Sequence, residues 1–175
     1  MLKIKKIFCI VLRKIIFLFD GINNKIFTSM YYMWLKKMGV TFVGKPNYIS
    51  STAYIDGQGY QKIVIGKDAV ISRDVMILTH DYSVETALHT INEGTEERKL
   101  HINDGVIIGN NSFIGARASL LPGSKIGEDC IIGACAVVKG EIPDNSIVIG
   151  NPSKIINKTS DYAIKIKQNI GEMML

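Results

Sequence analysis

Across Val106–Val138, VIIGNNSFIGARASLLPGSKIGEDCIIGACAVV, an aliphatic residue returns at every sixth position. Ile108, Ile114, Leu120, Ile126, Ile132 and Val138 form this series without a gap. Neither a 3.6-residue helix nor a two-residue strand alternation has that period. Two positions before each aliphatic residue stand Val106, Ser112, Ala118, Ser124, Cys130 and Ala136, all uncharged and small or medium in size. Glycine follows four of the six: Gly109, Gly115, Gly127 and Gly133. The same register appears earlier at Ile65, Ile71 and Ile77, with Ile63, Ala69 and Val75 two positions back. A weaker pair, Ile49 and Ile55, begins the series, and the four extra residues before Ile65 are assigned to a bulge around Gly57-Gln58-Gly59.

A six-residue unit is a short strand plus a bend. One aliphatic side chain enters the interior, a small residue fits near the corner, and Gly, Asn or Asp near the bend tolerates positive φ. No such unit buries its aliphatic residue alone, so the units must stack as coils. The period is then the length of one face of a prism.

With 175 residues the chain suits one domain, and 47% hydrophobic against 21% charged residues excludes both a disordered tail and a polytopic membrane protein. Three cysteines, Cys9, Cys130 and Cys135, form no CxxC pair, which argues against a disulfide framework or zinc knuckle and fits a reducing cytoplasm. The net charge of +5 is unevenly placed: residues 1–40 hold eight Lys/Arg against Asp20 alone, and the rest hold 13 Lys/Arg against 15 Asp/Glu. A nucleic-acid surface needs basic charge on the folded body, so that class is set aside.

On a helical wheel over residues 1–20, Lys3, Lys6, Arg13 and Lys14 share a sector, opposite Ile4, Ile7, Phe8, Val11, Ile15, Leu18 and Phe19. Gly21 is a natural stop, and a second helix is expected over Lys25–Met38. Arg13 and Lys14 interrupt the apolar run, so neither a secretory signal nor a spanning helix fits. Two readings of residues 1–40 stay open: a helical cap on the domain or on a neighbouring subunit, and an interfacial helix (residues 1–20) on an anionic leaflet. Residues 158–175 read as a short tail.

After Ile77 the register breaks, and it resumes at Val106. The excursion, 78–105, holds every histidine in the chain, His80, His89 and His101. A long polar excursion from a rigid scaffold is where function usually lies.

These tandem units resemble those of the hexapeptide-repeat acyltransferases over Tyr48–Ile156. The order of segments is also similar: hexads, a histidine loop at ILTHDYS, then hexads ending in Ile142-Pro143-Asp144-Asn145 and Gly150-Asn151-Pro152-Ser153-Lys154-Ile155. The resemblance implies an all-β class, a left-handed parallel β-helix over 41–157, with an N-terminal helical segment and a C-terminal tail. It also implies an acetyl-CoA-dependent O-acetyltransferase acting on a sugar hydroxyl, in surface polysaccharide biosynthesis, as a cytoplasmic homotrimer with active sites between subunits.

His80 occupies the family's catalytic place. An imidazole accepts the proton of a sugar hydroxyl as it attacks a thioester and returns it to the departing thiolate. Asp81, Asp56 or a backbone carbonyl is expected to orient it; Asp81, Asp56 and Phe113 are assigned to the acceptor side, Phe113 standing where many relatives have tryptophan. Carried over from the family, coenzyme A contacts fall at Gly115, Ala116, Gly133, Ala134 and Lys139, with Lys154 meeting nucleotide phosphates. Lys139-Gly140 departs from the usual threonine-lysine order. An oxyanion donor is placed at the Gly115-Ala116 bend. No metal is expected, because the histidine spacings of nine and twelve do not match those of the zinc-binding relatives. The alternatives are N-acetylation of an amino sugar and a non-enzymatic β-helix scaffold.

Overall fold

The computed structural model describes residues 11–20, 22–96 and 101–173. The short strands fall into three parallel sheets. The first stacks Thr41–Phe42, Ile63–Ile65, Val106–Ile108, Lys125–Ile126 and Glu141–Ile142. The second stacks Tyr48–Ile49, Val70–Ile71, Phe113–Ile114, Ile131–Ile132 and Ser146–Ile149. Tyr54–Ile55, Met76–Ile77, Ser119–Leu120 and Val137–Val138 make the third.

The chain visits the sheets in turn, so three hexads close one coil. Ile114 lies beside Ile132 and Leu120 beside Val138, each pair eighteen residues apart. In the first coil Ile49 pairs with Ile71 and Ile55 with Ile77, a spacing of 22. The four extra residues sit where the glycine-flanked bulge was expected, followed by a 3-10 turn at Tyr60–Lys62.

The interior is a column of aliphatic side chains. Ile65, Ile71, Ile77, Ile114, Leu120, Ile132 and Val138 have no exposed surface, and burying each contributes roughly 1.5–3 kcal/mol. The small positions are buried too, and their hydroxyls bond to backbone: Ser112 Oγ donates to Gly127 O and Ser124 Oγ to Val138 O. Cys130 lies in this column, where burial raises its thiol pKa and its Sγ contacts Pro143 O.

The glycines behind the aliphatic residues serve a purpose other than positive φ. The left-handed corner residues lie two positions further on, at Asp68, Asp74, Asn111, Arg117, Asp129 and Cys135. Gly115 is needed because coils approach closely at this corner: a Cβ there would lie 2.6 Å from the Ala134 nitrogen and 2.7 Å from Ile132 O.

Helix α1, Asn24–Met38, starts at Asn23, whose side chain accepts from the Lys25 and Ile26 amides, and stops at Gly39 with φ 117°. It packs Phe27, Tyr31, Trp34 and Leu35 inward against Tyr48–Ile49 and the 3-10 turn, covering the start of the coil. Residues 11–17 are helical and join this cluster, with Phe17 edge-on to Phe27 and Tyr31 and the Arg13 guanidinium over Phe17 and Trp34. Residues 1–10 of the basic sector, and Gly21, lie outside the described residues.

At the other end, Lys154–Lys158 turns back antiparallel on Ser146–Ile149 and closes the open edge of the second sheet. The Gly150-Asn151-Pro152 ending is the turn of this hairpin, with Gly150 at φ 91° and a cis Asn151-Pro152 bond.

The all-β expectation is coarser than the molecule, which is mostly β with helices attached. The excursion carries helix α2, Ser83–His89, and the tail carries helix α3, Thr159–Met173. Among the described residues no helix is long and apolar enough to cross a membrane.

Candidate active site

Three edges separate the sheets. The edge from the third sheet to the first bears Leu78-Thr79-His80 on one coil, Leu121 on the next and Lys139 on the one after. It has no glycine after the aliphatic residue on any coil, unlike the other two edges, which carry Gly66, Gly109 and Gly127, and Gly115 and Gly133. Here the chain leaves the prism: His80–Asp81 pairs antiparallel with Ile102–Asn103, forming the base of the excursion.

Asp56 lies one coil below on the same edge, because Ile55 is in register with Ile77. Its carboxylate is 1% exposed and accepts from four donors. Oδ1 takes the Gln58 amide at 3.1 Å; Oδ2 takes the Thr79 amide at 3.1 Å, the Thr79 hydroxyl at 2.5 Å and His80 Nδ1 at 2.5 Å. Burial works to raise the Asp56 pKa, and the bonds from Thr79, Gln58 and His80 outweigh it, leaving the carboxyl below its ordinary value. An ionised carboxylate only accepts, so Nδ1 of His80 carries the proton. In the neutral ring Nε2 is then the free base. The His80 side chain is 22% exposed.

This geometry corrects two assignments. Asp56, expected on the acceptor side, is buried behind His80 and has no open surface to offer a substrate. Asp81 does not orient His80: its Oδ1 accepts the Ser83 amide at 2.8 Å at the start of α2. The Ser83 amide and hydroxyl hold the Asp81 carboxyl below its usual range, helped by the charge of Lys139. His80, Asp56, Asp81 and Lys139 therefore share one edge.

Gly115, Ala116, Gly133 and Ala134 belong to a different edge, between the second and third sheets, and Phe113 lies on the adjoining strand of the second. Phe113 is 41% exposed on the outside of the second sheet. The Ala116 carbonyl accepts from the Cys135 amide. The Gly115 amide is spent on Ile132 O at 2.7 Å, so it cannot serve as an oxyanion donor. Lys154 opens the C-terminal strand on the second sheet.

Sequence reasoning missed Thr79 and Tyr82. Thr79 supplies two of the four bonds to Asp56, and it passes so close to Gly59 that a Cβ there would collide with it. Tyr82 sets its ring edge-on to His80 at 5.5 Å and beside His101 at 4.8 Å, giving the site a half-exposed aromatic wall. His89 has a structural post: with the buried Glu85 and Thr95 it ties down the excursion. Among the described residues no cluster of three or more His, Cys, Asp or Glu is disposed to hold a metal.

The model for the bacterial transferase hexapeptide (six repeats) matches residues 102–140. WbbJ of Escherichia coli strain K12, named as a candidate lipopolysaccharide biosynthesis O-acetyl transferase, is 29% identical over 75% of this chain and 68% of its own. A candidate acetyltransferase of Staphylococcus aureus strain COL is 31% identical over 79% of this chain and 63% of its own. Galactoside O-acetyltransferase of Lactococcus lactis is 34% identical over 47% of this chain and 40% of its own. The chain thus spans about two thirds or less of the length of these relatives.

Two solved structures share the fold. A galactoside acetyltransferase in complex with coenzyme A superposes with a TM-score of 0.57 at 19% identity, over 87% of this chain and 81% of that one. A hexapeptide-repeat acetyltransferase of Vibrio cholerae gives 0.57 at 17% identity, over 86% and 88%. With hexads in three-sheet register, a histidine loop at the expected break and these relatives, the chain is similar to the hexapeptide-repeat acyltransferases in sequence and shares their fold.

Proposed function

We propose that this protein is an acetyl-CoA-dependent O-acetyltransferase acting on a sugar hydroxyl, with residues 41–157 as a left-handed catalytic coil. The observation that carries the reading is the buried Asp56 carboxylate on His80 Nδ1. A structural histidine has no need of an ionised, four-bonded partner below it, whereas a general base needs its tautomer fixed.

Nε2 of His80 takes the proton of the attacking hydroxyl as the new C–O bond forms at the acetyl carbonyl. The C–S bond then breaks, and the same proton passes from Nε2 to the leaving thiolate. Asp56 stays ionised throughout and steadies the transient imidazolium. The oxyanion donor at the 115–116 bend falls to the Ala116 amide, because that of Gly115 is committed to the coil. Small residues at Gly115, Ala116, Gly133 and Ala134 suit a narrow pantetheine arm, with Lys139 and Lys154 toward its phosphates.

In one chain the four small residues occupy a different edge from His80, whereas Lys139 shares its edge. That separation supports a homotrimer in which His80 of one copy faces the 115–134 edge of the next. The names of WbbJ and the galactoside enzyme support a saccharide acceptor in surface polysaccharide biosynthesis, and we place the reaction in the cytoplasm.

The test is incubation with acetyl-CoA and a panel of sugars, following thiol release and the product ester. His80→Ala should lower kcat/KM by about 10²–10⁴-fold. Equal turnover by both proteins removes His80 as the base, and a base-stable product identifies amide rather than ester formation.

A further inference from the structure

The N-terminal helical segment uses only one of its two apolar sides. Leu12, Ile16 and Phe17 face the fold, with Ile16 only 2% exposed and Phe17 locked between Phe27 and Tyr31. On the opposite side Val11 is 49% exposed, Ile15 46%, Leu18 71% and Ile22, just beyond, 76%. Ile26 and Met33 on α1 add to the exposed aliphatic surface. Single exposed aliphatics are ordinary, but this many within one short segment mark a surface made for contact.

Charge identifies the partner. Lys14 is exposed on the same segment, flanking these aliphatic residues, and Lys25, Lys36 and Lys37 are exposed on α1. Residues 1–40 contain a single acid, Asp20, whose carboxylate already accepts a hydrogen bond from Ser51 Oγ. Among the described residues Arg13, Lys14, Lys25, Lys36 and Lys37 therefore give this end a basic excess, whereas residues 41–175 carry a slight acidic one. Packing the side against a second copy would bring two such segments together, and the repulsion opposes it. An anionic lipid surface supplies both the apolar layer and the opposite charge.

We propose that Val11, Ile15, Leu18 and Ile22 seat this protein in the headgroup region of an anionic membrane. The segment lies flat on the surface, its basic side chains among the lipid phosphates. The inward side stays packed on Phe27 and Tyr31, so seating requires no unfolding. This inference is independent of the acetyl-transfer chemistry.

The test is sedimentation of the full chain with vesicles of phosphatidylcholine alone, or with phosphatidylglycerol at roughly 30 mol %. The full chain should pellet with the anionic vesicles and stay in the supernatant with the neutral ones. Ile15→Glu combined with Leu18→Glu, both on exposed positions, should lower the bound fraction at least about tenfold. Leu18→Ser alone, a milder change at a 71% exposed position, should lower it less. A soluble full chain, or equal binding to neutral vesicles, overturns the proposal. So does a double variant that pellets as the wild type does, or one that instead breaks an oligomer in the absence of lipid.

Discussion

Asp56 carries more responsibility than any other single side chain. Four donors converge on a carboxylate that is almost fully buried, and every one of them favours the ionised form. Its pKa lies below the ordinary 3.8, so the ionised carboxyl favours the folded state. The stability it contributes is present above that ordinary value and is lost as pH falls through the lower folded one. Asp56→Asn strands donors that had a charged acceptor, and should cost about 2 kcal/mol at neutral pH. Urea unfolding at pH 7 and below pH 4 checks the sign: the gap between wild type and variant must narrow as the medium becomes acidic. His80 was legible because it stands where the hexads stop. Its partner cannot be singled out from the sequence, because the contact depends on a first coil of 22 rather than eighteen residues. Thr79 and Tyr82 carried no sequence signal beyond standing next to His80.

At the scale of the strand and its corner, the hexads were legible because one buried position per face admits nothing but an aliphatic residue. The glycines were legible as bends and misread as to cause. Gly115 answers to the neighbouring coil, whereas Gly140, at φ 83° with open space around it, answers to its own dihedral. Asparagine separates the two reasons, since it tolerates left-handed backbone but brings a Cβ. Gly140→Asn should cost under about 1 kcal/mol, and Gly115→Asn about 2–3 kcal/mol, because Ala134 N and Ile132 O belong to rigid backbone. Denaturant midpoints of the two variants give the comparison, and similar midpoints would mean that the coils yield at Gly115. The excursion's internal order escaped sequence reading for another reason. The Glu85 carboxylate reaches ten residues to Thr95, and no periodicity announces such a clasp.

The whole molecule is organised by edges. His80, Asp56 and Lys139 mark one, and Gly115 and Ala134 another, so the transfer proposed above draws on the edges of two neighbouring copies. Two inactive chains should therefore repair one another if the site is shared between copies. His80→Ala removes the base but leaves the 115–134 edge intact. Ala116→Trp fills that edge but leaves Asp56 and His80 untouched, since they lie on another corner. Unfolded together and refolded as an equal mixture, the two chains assort at random. A site is competent only where the His80-bearing edge of an Ala116→Trp chain meets the open edge of a His80→Ala chain. About a quarter of the sites meet that condition in a cyclic assembly. Specific activity near that fraction of wild type, against none for either variant refolded alone, is the expected result. Failure to recover activity, with oligomers of unchanged size, would return both edges to one chain and require the acetyl group to travel around the prism.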